Sequence, residues 1–145
     1  LRRQSPVPIA TGECLTRWQS FLPFFEDRAI DIVQPDVTKV GGMTEQARIA
    51  QTANMFGIKY VGHGWNTAVG LAADLHLAAA FPQTDLVEYI GGSPYVDEIV
   101  SMQWKLDDDG ALAIPDEPGL GLHLDIDALA SMTDDTATLK RLASS

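Results

Sequence analysis

Short apolar segments alternate with segments of helical periodicity through the first ninety residues of this 145-residue chain. Each apolar segment has the length of a strand, is rich in β-branched or aromatic residues, and leads into a polar residue. Four segments have this form: Pro8–Thr11, Ala29–Val33, Ile58–Val61 and Leu86–Val87. The polar residues that follow them are Glu13, Asp36, His63 and Glu88, at intervals of 23, 27 and 25 residues. A parallel connection needs a crossover of about a dozen or more residues, so each interval fits one βα unit.

The segments between the strands predict helices. Thr44 is the expected N-cap of one helix, which carries apolar residues at helical spacing and ends at Gly57. Thr67 is the expected N-cap of a second helix, which is apolar on nearly every side and should therefore be buried. In the segment 15–28, Pro23 should kink or shorten any helix.

This alternation predicts an α/β fold in which helices cover a parallel sheet. Four units are half of a (β/α)8 barrel, an architecture of about 250 residues, and we assign residues 8–90 to this half-barrel. The chain is irregular after residue 90. We expect a strand over 99–106, a turn at Asp107–Gly110, a return strand over 111–114, a short helix over 127–132 and frayed residues at the end.

The composition excludes several classes of protein. Twenty acidic against ten basic residues give a net charge of −10, which repels phosphate backbones and anionic lipid, so neither nucleic acid nor a membrane surface is expected as a partner. Cys14 is the single cysteine, so no internal disulfide forms, and no apolar run reaches membrane-spanning length. We therefore expect a cytoplasmic protein. Because the chain opens without a methionine, we also expect it to be a piece of a longer one.

The polar residues at the strand ends are the candidate site. The carboxyl ends of parallel strands open onto one face, where ligands bind, so Glu13, Asp36, His63 and Glu88 should converge there. Carboxylates this close repel one another, which favours a metal, a cationic partner or a proton-transfer role. Taken alone, Asp36 fits a loop-capping aspartate and His63 fits a buried core histidine. Trp65 and Asn66, just beyond His63, are predicted to line the pocket and bind substrate.

The remaining candidate residues have simpler interpretations. His76 lies in the apolar helix and is interpreted as packed or capping, and His123 has no ligand pattern around it. Cys14 has no visible activating base. The acidic turn at Asp107–Gly110 lacks the later glutamate of a calcium loop, and Gly41-Gly42 alone is a weak phosphate signal.

Four motifs together resemble the enolase superfamily, in its mandelate racemase-like subgroup, which includes sugar-acid dehydratases and aldonate cycloisomerases. The motifs are Ile9–Glu13, Asp31–Asp36 followed by Val40-Gly41-Gly42, His63–Thr67 and Leu86–Tyr89. The segment Pro115–Gly121 also resembles the closing segment of that subgroup. The resemblance extends from about residue 8 to about residue 130. It implies the C-terminal half of a modified TIM barrel, with residues 91–145 closing the barrel and packing toward an N-terminal capping domain.

The same resemblance implies a role for each strand-end residue. Glu13 matches the third carboxylate ligand of an essential Mg²⁺, and His63 matches the general acid or base of the seventh strand. Asp36 matches the partner that orients this imidazole and raises its basicity. Glu88 matches the eighth-strand acid that hydrogen-bonds the substrate carboxylate or the enolate oxygen.

The family's other two metal ligands and its lysine base lie on earlier strands. Lys39, in a loop, and Lys59, early in a strand, are not substitutes for that lysine. A single carboxylate binds Mg²⁺ weakly, so we expect the 145-residue chain to be inactive by itself.

The implied reaction is Mg²⁺-dependent removal of the proton α to a carboxylate through an enediolate, in dehydration or cycloisomerisation of a sugar acid or its lactone. We expect an acid-sugar substrate and, at full length, a homo-oligomer. Three alternatives stay open. They are a racemase or epimerase of a 2-hydroxy acid, a non-catalytic half-barrel that needs a partner chain for its open sheet edges, and a small doubly wound module that binds an anion at Gly41-Gly42.

Overall fold

A computed structural model of the chain describes residues 1–135, 137 and 141. Its sheet contains three short parallel strands, arranged side by side in the order in which they follow along the chain. These are β1 (Ala10–Thr11), β2 (Ile32–Val33) and β3 (Lys59–Tyr60). The α/β class with a parallel sheet is therefore confirmed.

Five helices are present in the described part of the chain: α1 (Leu22–Glu26), α2 (Met43–Met55), α3 (Ala68–Ala80), α4 (Pro94–Asp97) and α5 (Ile126–Ser131). Two 3-10 turns, Arg2–Gln4 and Trp18–Ser20, add to them. Within the described residues, no helix is both long and apolar enough to cross a membrane.

Glycine and threonine residues lie at the ends of α2 and α3. Thr44 is not the N-cap of α2, because the helix begins one residue earlier at Met43, after Gly42. Gly41 and Gly42 have φ values of 111° and 92°, a region that only glycine adopts readily, and they turn the chain into the helix. The other predicted ends are confirmed: Gly57 follows α2 with φ 68°, and Thr67 is the N-cap of α3.

The segment 15–28 is not one kinked helix. It divides into the 3-10 turn Trp18–Ser20 and the five-residue α1. Pro23 lies in the first turn of α1, where its missing N–H would have had no helical acceptor in any case. Proline therefore begins this helix rather than bending a longer one.

The fourth predicted strand, Leu86–Val87, does not form a strand in the described structure. Side chains hold this segment in place of a backbone ladder. Before it, the Asp85 carboxylate pairs with Lys59 Nζ at 2.5 Å, and after it, Glu88 Oε2 accepts a hydrogen bond of 2.8 Å from the backbone N–H of Gly64.

The turn at Asp107–Gly110 is confirmed, because the Asp107 carboxylate accepts hydrogen bonds from the N–H groups of Asp109 and Ala111. The strands predicted over 99–106 and 111–114 are wrong, since single bridges stand in their place, Leu106 with Leu112 and Val100 with Leu124. The short helix is confirmed as α5 over 126–131. The fraying expected for the last dozen residues falls mostly outside the described ones.

The hydrophobic core is divided into several clusters. One cluster packs the sheet against α1 and α2 and includes Phe21, Phe25, Val33, Ile49 and Tyr60. A second cluster packs α3 against the irregular tail and includes Leu71, Leu75, Val96 and Trp104. The packing of residues 91–145 toward a further domain stays a prediction.

Candidate active site

Parallel register places two of the predicted site residues side by side, just beyond the carboxyl ends of β2 and β3. Val33 pairs with Tyr60, and Asp36 and His63 each lie three positions further along their chains. The alignment continues past the strands, because the N–H of His63 donates to the carbonyl of Pro35 at 3.0 Å. Asp36 and His63 therefore face each other from adjacent strand ends.

His63 and Asp36 form a hydrogen-bonded pair. The His63 Nδ1 to Asp36 Oδ2 distance is 3.0 Å, the Asp36 side chain is fully buried, and the imidazole is mostly buried. Asp36 Oδ1 accepts from the backbone N–H of Thr38 at 2.9 Å and from its hydroxyl at 2.5 Å. Lys39 Nζ lies 3.2 Å from Oδ2. Asp36 is thus both the loop-capping residue and the histidine partner, since each role uses a different oxygen.

The surroundings of Asp36 keep its carboxyl ionised. Burial raises the pKa of Asp36, but the hydrogen bonds from Thr38 and His63 and the nearby Lys39 outweigh this, so the pKa is lower than its ordinary value. An ionised carboxylate only accepts hydrogen bonds, so Nδ1 of His63 must carry the proton that lies between them. In the neutral imidazole the free lone pair is then on Nε2, so Nε2 is the nitrogen that can accept a proton.

Glu13 faces that second nitrogen. The distance between Glu13 Oε2 and His63 Nε2 is 3.9 Å, which is longer than a hydrogen bond, and the Glu13 side chain is 55% exposed. Gly12 allows the chain to turn here, because its φ is 136° and a side chain would press on the ring of Phe21 and the backbone of Gln34. The structure therefore brings Glu13, His63 and Asp36 together at one rim.

Glu88 reaches the same loop from the other side. Its Oε2 accepts the 2.8 Å hydrogen bond from Gly64, the residue after His63. A Cβ at Gly64 would meet the main-chain oxygen of Glu88, so the two segments are in close contact. One oxygen of Glu88 is therefore engaged by the protein itself, and its predicted contact with substrate stays a prediction.

Trp65 and Asn66 take different positions. The Trp65 side chain is exposed, and with Asn66 it contributes to a cavity of about 350 Å³ that Tyr95 also lines. The Asn66 amide nitrogen points inward, 3.2 Å from the carbonyl of His63 and 3.4 Å from Asp74 Oδ2. Their substrate-binding roles stay predictions.

A buried polar group that was not predicted from the sequence lies behind the site. Asp74 on α3 is almost fully buried, and its Oδ1 accepts a 2.7 Å hydrogen bond from Gln46 Nε2, which also lies 2.7 Å from the Tyr60 hydroxyl. Burial is the main reason that the pKa of Asp74 rises to about 7. The available signal was the one acidic residue within a helix whose other residues, apart from His76, are apolar.

The secondary candidates lie away from this rim or have other partners. His123 is hydrogen-bonded to Glu117 at 2.6 Å on the surface, a partner that the sequence did not indicate. Cys14 is a free thiol beside Glu13, and Lys39 contacts Asp36 rather than facing His63.

The side chains at this rim can be compared with the ligands that the expected Mg²⁺ would need. Glu13 offers carboxylate oxygens of the kind that Mg²⁺ takes, and its exposure leaves them accessible. Among residues 1–135, 137 and 141, however, no three His, Cys, Asp or Glu side chains are grouped so as to hold a metal ion. Glu13 thus fits as one ligand of a Mg²⁺ ion.

Comparison with known families decides the classification. Residues 1–128 match the family described as Enolase C-terminal domain-like, which covers most of the chain. The chain belongs to this family. The resemblance drawn from the four motifs is confirmed, and so is the assignment to the C-terminal portion of an enolase-superfamily enzyme fold.

Two curated relatives illustrate the match. D-xylonate dehydratase of Haloferax volcanii is 34% identical over 137 residues, which is 94% of this chain and 33% of that protein. D-galactarolactone cycloisomerase of Agrobacterium fabrum is 31% identical over 137 residues, which is 89% of this chain and 36% of that protein. The chain thus spans about a third of the length of these relatives.

Solved structures share this fold. A mandelate racemase/muconate lactonizing enzyme from Sulfitobacter sp. superposes with a TM-score of 0.80 at 36% identity, covering 90% of this chain and 32% of that one. A putative dehydratase from Salmonella enterica serovar Typhimurium gives 0.83 at 26% identity, covering 90% and 33%. The half-barrel fold is therefore confirmed, and a doubly wound module is not supported.

Proposed function

We propose that this chain supplies the histidine side of an active site that removes the proton α to a carboxylate. The observation that carries the proposal is the His63–Asp36 pair, whose Nδ1–Oδ2 distance is 3.0 Å while Nε2 faces Glu13 across 3.9 Å. Nδ1 is held by a buried carboxylate, so Nε2 is the free basic atom. Nε2 is the atom that the acidic C–H group of a substrate would approach.

His63 accepts the α proton at Nε2 while the C–H electron pair moves into the enediolate. The imidazolium that forms is stabilised by the negative charge of Asp36, which the Thr38 and Lys39 contacts keep ionised. A base of this kind contributes about 10²- to 10⁴-fold to a rate. The proton held on Nε2 is then available for the next step.

We propose dehydration or cycloisomerisation of a sugar acid or its lactone as the overall reaction. In dehydration, the electron pair of the enediolate expels the hydroxyl group at the β carbon, a proton from the imidazolium completes the departing water, and the enol tautomerises to a 2-keto-3-deoxy acid. The names of the relatives support this class, because they include D-xylonate dehydratase, arabinonate dehydratase and D-galactarolactone cycloisomerase.

We also propose that the reaction depends on Mg²⁺, with Glu13 as one of its ligands. When bound, the ion would supply positive charge against the developing dianion. The exposed carboxylate of Glu13 beside the dyad supports this proposal. Chelation with EDTA should abolish turnover and added Mg²⁺ should restore it, whereas full activity after dialysis against EDTA would contradict the metal dependence.

The decisive experiment uses the protein that carries this chain and a panel of acid sugars. Proton NMR in D₂O follows exchange at the α carbon, and a ketone-specific assay follows the 2-keto-3-deoxy product. His63→Asn should lower exchange by at least about 100-fold for a substrate that this base deprotonates. His123→Asn is the matched control, since that exposed histidine pairs with Glu117 and should leave exchange unchanged.

Three results separate the possibilities. Water loss by the wild type that disappears in His63→Asn supports a dehydratase. Exchange or inversion at the α carbon, with neither water loss nor isomerisation of a lactone, would replace it with a racemase or epimerase. Undiminished exchange in His63→Asn would remove this histidine from the role of base.

A further inference from the structure

Asp74 is a buried carboxylate whose contacts lead directly to the loop that carries His63. Its Oδ2 lies 3.4 Å from Asn66 Nδ2, and the same amide nitrogen lies 3.2 Å from the carbonyl oxygen of His63. Its Oδ1 accepts from Gln46 Nε2 at 2.7 Å. Asp74 therefore ties α2 and α3 to the main chain of the base.

Two glycines provide the space for this arrangement. A Cβ at Gly62 would lie 2.7 Å from Asp74 Oδ1, so the carboxylate occupies the volume that a side chain would take. A Cβ at Gly70 would likewise collide with the amide of Asn66. The backbone on both sides is thus built around the two polar side chains.

A carboxylate is a costly choice for a purely structural contact at this place. Burying it carries a desolvation penalty, and in the described structure its hydrogen-bond partners are the neutral amides of Gln46 and Asn66. A packed apolar residue would avoid that penalty. What a carboxylate provides is an acceptor that holds the Asn66 amide nitrogen toward the His63 carbonyl.

We propose that Asp74 is a positioning residue for His63 and that it acts through Asn66. The carboxylate holds the Asn66 amide, the amide holds the His63 carbonyl, and the imidazole is thereby kept in line with Asp36. The catalytic part of this inference rests on the proposed function, whereas its structural part is independent of any substrate.

The first test needs no substrate. Hydrogen-exchange mass spectrometry follows peptides that span residues 62–67, in which the N–H of His63 donates to Pro35 and that of Gly64 donates to Glu88. In Asp74→Asn, an NH₂ group replaces one of the two carboxylate oxygens. This NH₂ group then faces the amide nitrogen of Gln46 or Asn66, so one hydrogen bond is lost. We expect exchange in this loop to be faster by about tenfold.

Asn66→Ala and the double variant test the route. Asn66→Ala removes the link while leaving the carboxylate in place, and it serves also if Asp74→Asn folds poorly. The double variant combines Asp74→Asn with Asn66→Ala. If Asp74 acts through Asn66, amide hydrogens of residues 62–67 should exchange no more than about twofold faster in the double variant than in Asn66→Ala alone. Asp31→Asn is the matched control, because that carboxylate holds Arg2 and Ile9 at the opposite end of the sheet and should leave the loop unchanged.

Kinetics provide the second test. With an acid substrate that the wild type turns over, Asp74→Asn should lower kcat by about tenfold with KM within about twofold, because the base is misplaced while the substrate still binds. Asp31→Asn should lower the thermal midpoint without this change in kcat. A uniform loss of active protein would lower the apparent kcat in both variants.

The outcomes distinguish the two proposals. Unchanged exchange in residues 62–67 of Asp74→Asn and Asn66→Ala would overturn the positioning role, whatever the activity. Additive effects in the double variant would overturn the route through Asn66. If the wild type deprotonates no acid of the panel, the proposed function fails, while the exchange measurements still decide whether Asp74 holds the loop.

Discussion

Besides His63, the residues that keep Asp36 ionised lie within three positions of it along the chain. Thr38 donates two hydrogen bonds and Lys39 supplies a positive charge, both from the loop that Asp36 itself begins. A fully buried carboxyl would otherwise tend to take up a proton. The local loop therefore gives His63 an anionic partner.

Replacing Asp36 by asparagine should cost at least about 100-fold in kcat. The amide keeps the shape but has no charge with which to stabilise the imidazolium, and it does not select the tautomer with its proton on Nδ1. Steady-state kinetics on the protein that carries this chain measure the effect. Thr38→Val is the control, since it removes one hydrogen bond of 2.5 Å and should cost less than about tenfold. A kcat for Asp36→Asn within a few-fold of the wild type would contradict this role.

Asp74 should make stability depend on pH in a defined direction. Its pKa rises from 3.8 to about 7 on folding, mainly by burial. Between these values the folded state holds a proton that the unfolded chain has released, so the free energy of unfolding falls as the pH rises from about 4 to 7. Tyr60, Asp36 and His63 are the titratable groups around it.

Asp74→Asn lacks this titration. The stability of the wild type relative to the variant should therefore be greater at pH 5 than at pH 8, by about 2 kcal/mol. Denaturant unfolding at the two pH values measures the difference. An equal difference at both pH values would show that Asp74 is ionised throughout.

At the scale of elements, the loop that follows β3 contacts the segment around Glu88, and this contact depends on Gly64. This residue lies against the main chain of Glu88 and donates to its carboxylate at 2.8 Å. The contact takes the place of a fourth strand ladder. Two extended segments are thus joined by one side chain and a close backbone approach.

Gly64→Ala should lower the free energy of unfolding by about 1–3 kcal/mol and should also reduce activity, because the added methyl group pushes Glu88 away from the loop of His63. Gly91→Ala is the matched control: its Cβ would meet only the outer ring atoms of Tyr89, at 3.3 Å or more, and should cost less than about 0.5 kcal/mol. Thermal unfolding and turnover measure both. Equal stabilities for the two variants would show that the contact at Gly64 contributes little.

The elements also show what the sequence could predict. The pattern of apolar segments and terminal polar residues was sufficient to predict β1 to β3, α2, α3 and the convergence of Glu13, Asp36 and His63, because register in a parallel sheet aligns strand ends. The missing strand at Leu86–Val87 was not predictable in this way, since Lys59 and Gly64 hold that segment through contacts across the fold. Asp74 was missed for the same reason: its partners are 8 and 28 positions away along the chain.

For the whole molecule, β1 and β3 each have one neighbour in the described sheet, so each leaves an edge unpaired there. The candidate metal ligand Glu13 and the proposed base His63 lie at its rim. The chain also spans about a third of the relatives that it matches. The match to solved barrel structures indicates that these strands belong to the C-terminal half of such a fold.

The 145-residue chain produced by itself should show no turnover, and its open edges should favour association. Activity assays with Mg²⁺ and acid sugars, together with sedimentation velocity, test both expectations. Turnover by the isolated chain would show that Glu13 and its neighbours suffice to bind the metal. A monomer with cooperative unfolding would show that the open edges do not require a partner.

Asp36 and Asp74 are two carboxylates near His63 whose supporting residues lie at different distances along the chain, and this matters for chimeras made from two relatives. Asp36 and its donors occupy four consecutive positions, so nearly any crossover point would transfer them together. A crossover between α2 and β3 would instead take Gln46 from one parent and Asn66 and Asp74 from the other. Such chimeras should keep the ionised Asp36 beside His63. They should lose the hydrogen bond between Gln46 and Asp74, unless both parents have the same amide at position 46.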